Sequence, residues 1–118
     1  MTGDELARRL DEGTVSVIDV RSREEFTGEA GYPCDPCQGH IAGAVHIEWS
    51  ELYRSEGRPH DGETIRRLLT ERGVDLERDL VVYCHSGQRS TFAFTALRSA
   101  GMENVSNYEG SWHDWCRR

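Results

Sequence analysis

Apolar positions change their spacing several times along the chain, and each change marks an element. Leu6, Ala7 and Leu10 recur at helical spacing behind Thr2 and Glu5, a capping-box signature, and Gly13 stops the run. VSVIDV (15–20) is short, β-branched and apolar, and predicts a strand. Ser22 and Glu25 suit the cap of a short helix carrying Phe26. Residues 28–39, GEAGYPCDPCQG, hold three of the twelve glycines and two of the three prolines, so they predict a loop. AVHI (44–47) predicts a second strand. Asp61 then caps a helix with Ile65, Leu68 and Leu69 on one face, ended by Gly73. DLVVYC (79–84) is continuously apolar, as a strand covered on both faces should be. Phe92, Ala93, Ala96, Leu97 and Ala100 form a wide helical stripe closed by Gly101. NVSNY (104–108) predicts a last strand and SWHDW a final helical turn.

Strands that alternate with helices predict an α/β fold with a mostly parallel sheet and helices on both faces. Ligands of such sheets gather beyond the carboxyl ends of the strands. Three features fall there: Asp19 with Arg21, the residues after Ile47, and Cys84 with the loop behind it. The chain shows no repeat and no linker, and its 118 residues suffice for one core, so a single domain over 1–118 is expected.

Charge and composition remove several functions. The net charge is −7, and counterion release on nucleic acid needs clustered cations, so no nucleic-acid partner is expected. No apolar run approaches the roughly 18 residues of a membrane span. The acidic, amphipathic start MTGDELARRLDEG is unlike a signal peptide, so the expectation is a cytoplasmic protein with no membrane partner. All 14 basic residues are arginines, which suit forked contacts to carboxylates and oxyanions.

The four cysteines are Cys34, Cys37, Cys84 and Cys116, and in a chain with a core of its own they read as thiols. Cys84 stands apart from the rest. It closes a strand and is followed by His85, Ser86, Gly87, Gln88 and Arg89, where a helix begins. So tight a turn points backbone amides inward, and the helix adds its unpaired N–H groups and the positive end of its dipole. The arrangement predicts an anion nest with a sulfur at its floor, which lowers the thiol pKa and makes Cys84 a nucleophile.

VVYCHSGQRS resembles the active-site loop of the rhodanese family of sulfurtransferases. VIDVRSREEF, GHIAGAVHI and YEGSWHDW resemble further signatures of that family, in the family's order and over nearly the whole chain. The resemblance implies a five-stranded, mostly parallel sheet with helices on both faces. It also implies a thiosulfate-type sulfurtransferase without a cofactor or metal. Cys84 would take a sulfane sulfur from a small-molecule donor, hold it as a persulfide and pass it to cyanide, a thiol or a sulfur-accepting protein. The backbone of residues 85–89 would cradle the sulfur, and Arg89 would attract an anionic donor or brace the loop. Cysteine-dependent phosphatases carry five residues between Cys and Arg, whereas four separate Cys84 from Arg89 and Ser90 falls where their arginine would. The smaller loop favours one extra sulfur over a phosphate.

Asp19 and Arg21 form the DVR of the first signature and are expected to shape the site through a forked ion pair. His40, in GHIAGA, is expected to hold its loop in place. Glu25 stands where two-domain members often carry a substrate-binding arginine, and would repel an anionic donor. The loop motif CDPC leaves three readings open for Cys34 and Cys37: a variable loop, a redox or sulfur-accepting pair, and half a zinc site with His40 nearby. Cys116 reads as an unpaired thiol. Two functions of other classes compete with sulfur transfer: a partner-binding or sensing module of this fold, and a thiol–disulfide oxidoreductase using Cys34 and Cys37.

Overall fold

The computed structural model describes residues 1–118. Helix α1 (Gly3–Glu12) starts at Thr2, whose hydroxyl accepts from the Glu5 amide, and ends at Gly13 in the left-handed region. Strand β1 (Val15–Asp19) leads into the short helix α2 (Arg23–Thr27), where Ser22 and Glu25 form a complete capping box. After a long loop come strand β2 (Val45–His46) and a 3-10 turn (Trp49–Leu52) that the apolar pattern did not announce. Helix α3 (Gly62–Glu71) is capped by Asp61, and strand β3 (Asp79–Tyr83) follows. Helix α4 (Gln88–Ser99), strand β4 (Val105–Asn107) and helix α5 (Ser111–Trp115) complete the chain.

All pairings are parallel, in the order β2-β1-β3-β4. β1 and β3 run side by side from Val15↔Asp79 to Asp19↔Tyr83, so Cys84 emerges beside the exit of β1. The expected fifth strand is absent. The apolar pattern itself predicts four, and the remaining segments are helices, the 3-10 turn and loops, the one after that turn carrying an isolated bridge, Tyr53↔Pro59.

Strand side chains alternate between two cores. Ile18, Val20, Leu80 and Val82 face Ile65, Leu69, Ala93 and Leu97 of α3 and α4. Val15, Val17, Val81 and Tyr83 face Leu6 of α1 and Trp112 of α5. Helices therefore cover both faces, and the carboxyl edge of the sheet stays available for chemistry. No helix is long and apolar enough to cross a membrane.

Candidate active site

Cys84 follows the last residue of β3 and is 1% exposed. One side of the residue packs in the apolar cluster with Val20, Val82 and Ala93. Its sulfur is nevertheless met by polar groups. The Gly87 amide donates to Sγ at 3.1 Å, and the neighbouring Ser86 and Ser90 amides also favour its ionised form. Sγ lies 3.4 Å from Ser90 Oγ, which donates to the Gly87 carbonyl at 3.1 Å. In the thiol form Cys84 donates to Ser90; once Cys84 is ionised, the Ser90 hydroxyl is placed to turn and donate to the sulfur. Burial pushes the Cys84 thiol up, but these hydrogen bonds outweigh it and hold the thiol below its ordinary value.

The loop closes because Gly87, the cap residue of α4, sits at φ 101°, a region that resists a Cβ. A Cβ there would also approach the Glu109 carbonyl oxygen to 3.0 Å. The side chains of Ser86 and Gln88 point into solvent, so these two residues contribute backbone. Helix α5 fixes the other side. The Cys84 amide donates to Ser111 Oγ at 3.1 Å, the Trp112 amide to the Cys84 carbonyl at 2.9 Å, and the His113 amide to the His85 carbonyl at 3.0 Å. Ser111 adopts φ 55°, a strained value for a residue with a Cβ, and this turns its hydroxyl to the main chain of Cys84. Nothing in the sequence marks Ser111 for that task.

Arg89 is not free to attract a donor. It forms a forked pair with Glu25 at 2.7 and 3.0 Å, which suits the expected bracing role over donor attraction and gives Glu25 a partner that the sequence did not indicate. Glu25 does not repel an anion as an unpaired charge would, because its partner cancels it. Burial pushes the Glu25 carboxyl up, but Arg89 and Ser22 outweigh that and hold it at about 2. The pair braces the start of α4 against α2 beside a cavity of about 270 Å³ lined by Ser22, Glu25, Ala30, Gly31 and Tyr32.

Asp19 and Arg21 are 0% and 1% exposed, so their pairing is part of the core. Asp19 accepts from Arg21 Nε and Nη2, at 3.0 and 2.7 Å, and from the Tyr83 hydroxyl at 2.6 Å. The Arg21 guanidinium lies over the rings of Tyr83 and Trp112 and donates to the Gly39 carbonyl. It thereby ties the exit of β1 to the far end of the 28–39 loop. His40 holds the same junction: its ring stacks on Phe26 at 3.7 Å, and Nδ1 lies 2.7 Å from the Phe26 carbonyl.

The CDPC loop departs most from expectation. Cys37 and Cys116 are joined by a disulfide across 79 positions, so Cys37 is not paired with Cys34 and Cys116 is not a free thiol. Cys34 is free and exposed. The pairing follows from tertiary packing: the Trp112 indole donates to the Cys37 carbonyl at 3.1 Å, which seats the loop on α5. His40 faces Phe26, so it does not join the two loop cysteines around a common centre. Asp35, between those cysteines, is a site residue that the sequence reading missed. It is buried and bridges His85 Nε2 at 2.9 Å and Arg117 at 2.8 Å. Burial pushes its carboxyl up, and Arg117 and His85 bring it net below the ordinary range. Tyr32 stacks on His85 at 3.8 Å.

Known proteins match this chain over nearly its whole length. The family model for the rhodanese-like domain matches residues 2–118. The chain belongs to the rhodanese-like family. It is 36% identical over 118 residues to a protein of Haloferax volcanii named "Putative thiosulfate sulfurtransferase", covering 95% of this chain and 41% of that protein. It is 34% identical over 114 residues to the sulfur carrier protein TtuD of Thermus thermophilus, covering 91% of this chain and 40% of that one. Among solved structures, the anaerobic ergothioneine biosynthesis enzyme from Chlorobium limicola, in complex with trimethyl histidine, superimposes with a TM-score of 0.87 at 25% identity. That match covers 100% of this chain and 30% of the enzyme. This rhodanese-like domain thus spans about two fifths of the length of the relatives it matches.

Proposed function

We propose that this rhodanese-like domain is a sulfurtransferase that carries a sulfane sulfur as a persulfide on Cys84. The observation that carries the reading is the set of amides turned on Sγ, with Gly87 N at 3.1 Å. They favour the thiolate, and they remain as donors for the extra sulfur once it is attached. The small-molecule donor is thiosulfate or another anionic sulfane compound. The Cys84 thiolate attacks the outer sulfur of thiosulfate; the new S–S bond forms as the old one breaks, and sulfite leaves with the bonding pair. Cyanide or a thiolate then attacks the terminal sulfur, and Cys84 returns as thiolate. Neither step needs an outside oxidant or reductant. The names of the Haloferax and Thermus relatives support this chemistry and make a sulfur-accepting protein a reasonable final partner.

Arg89 and Glu25 cancel each other, so the donor anion is held mainly by main-chain N–H groups. The cavity lined by Glu25 and Tyr32 adjoins the residues that hold Arg89 and His85 of the loop. Asp35 and Tyr32 keep His85, the first residue after Cys84, in place. The test is intact-mass measurement after incubation with thiosulfate. The expected result is a gain of one sulfur atom, located on Cys84, lost on addition of cyanide and absent from Cys84→Ser. Undiminished thiocyanate production by that variant excludes the mechanism.

A further inference from the structure

The proposed chemistry uses one cysteine of four. The fold collects the other three at one place, on the strap formed by residues 28–39 and the helix that receives it. Cys37 is exposed and bonded to Cys116, just beyond α5. Cys34 is exposed, unpaired, and three residues before Cys37 on the same loop. That spacing is the Cys-X-X-Cys arrangement in which two sulfurs close a disulfide within a single turn. A free thiol and a disulfide it can attack therefore share one surface.

The location of this disulfide gives it a consequence. It joins the strap to α5, and both touch the catalytic loop. From the strap, Tyr32 stacks on His85 and Asp35 bonds to it. From α5, Ser111 and Trp112 bond to the Cys84 main chain. The remaining links between strap and α5 are reversible: Arg117 to Asp35 and to the Cys34 carbonyl, and the Trp112 indole to the Cys37 carbonyl. Cys84 is 1% exposed while all these ties are made.

We infer that Cys34, Cys37 and Cys116 form a thiol–disulfide exchange site, with a dithiol as its substrate class, and that its state governs access to Cys84. The internal step conserves electrons. The Cys34 thiolate attacks Cys37 Sγ; the Cys34–Cys37 bond forms, the Cys37–Cys116 bond breaks, and Cys116 leaves as a thiolate that takes up the proton Cys34 lost. The strap is then bonded to itself and no longer to α5. A dithiol completes the change: one of its sulfurs attacks the exposed pair, the second resolves the mixed disulfide, and the dithiol is oxidised by two electrons as Cys34 and Cys37 become thiols. Release of the strap leaves only noncovalent ties over His85, and openings that expose Cys84 become more frequent. The inference rests on the reading above only in taking Cys84 as the reactive thiol.

The test measures alkylation of Cys84 by iodoacetamide, followed on its peptide by mass spectrometry, in the protein as folded and after treatment with dithiothreitol. Reduction is expected to raise the Cys84 rate roughly tenfold. Disulfide mapping at mildly alkaline pH is expected to find Cys34–Cys37 beside Cys37–Cys116, and Cys34→Ser to abolish the former while keeping the response to reductant. Circular dichroism of the reduced wild type separates strap release from unfolding without a variant at the disulfide. Equal Cys84 rates in oxidised and reduced protein that is folded in both states overturn the gate. Absence of the Cys34–Cys37 species overturns the role of Cys34. Because alkylation needs no sulfur donor, a gate that responds to reductant without any persulfide on thiosulfate refutes the proposed activity alone.

Discussion

Replacing Asp19 by alanine removes the acceptor of a buried cation and of a buried phenol together. Arg21 is 1% exposed and keeps the Gly39 carbonyl as its other hydrogen-bond partner. Tyr83, also fully buried, loses the carboxylate its hydroxyl donates to, though it still accepts from the Ile41 amide. A buried charge left without its partner costs about 3–5 kcal/mol, against at most about 1 for an exposed pair. At roughly 0.05–0.15 kcal/mol per residue, a chain of this length has about 6–18 kcal/mol of stability to lose. At the middle of both ranges the substitution should therefore take about a third of it. With a urea slope of roughly 2 kcal/mol per molar, the unfolding midpoint should fall by about 2 M. The assay is urea denaturation followed by tryptophan fluorescence. A second variant isolates the cause: Asp19→Leu combined with Arg21→Met removes both charges, and should recover much of the loss because no orphan charge remains. A loss under about 1 kcal/mol for the single variant, or no recovery in the double, refutes the assignment of this pair to the core.

Gly87→Ala forces a side chain into φ 101° and against the Glu109 carbonyl, so it should cost about 1–3 kcal/mol and slow persulfide formation; an unchanged rate and midpoint would sink the account of the loop. Ser90→Ala removes a hydrogen bond to the ionised sulfur, and the alkylation rate of Cys84 near neutral pH should fall about tenfold, with its pH inflection moved upward. The folded-state value of Glu25, about 2, lies below its ordinary 4.5, so its contribution is complete above about 4.5 and is lost as pH falls toward about 2. Thermal melts from pH 5 to about pH 3 should accordingly show a smaller decline in Glu25→Gln than in the wild type; parallel declines count against the pairing with Arg89.

The apolar spacing of the chain settled its elements: all four strands and five helices lie where the pattern puts them, with ends trimmed by a residue or so. Cys84 and its loop were legible for the same reason. Nucleophile, glycine and helix start are neighbours in sequence, so the backbone geometry that turns amides onto the sulfur is a local property. What the sequence could not convey depends on residues far apart in the chain. Arg89 and Glu25 are 64 positions apart, Asp35 and His85 50, and Cys37 and Cys116 79. Charge or thiol chemistry alone does not pick such partners. A carboxylate between two arginines and a histidine has several possible partners until packing brings one within 3 Å, and a Cys-X-X-Cys spacing favours the pairing that the fold overrides. Sequence thus fixed what each residue can do, through local backbone preference and side-chain chemistry. Tertiary structure decided which of those capacities meet, because only burial against a shared core makes one long-range pairing prevail over its rivals.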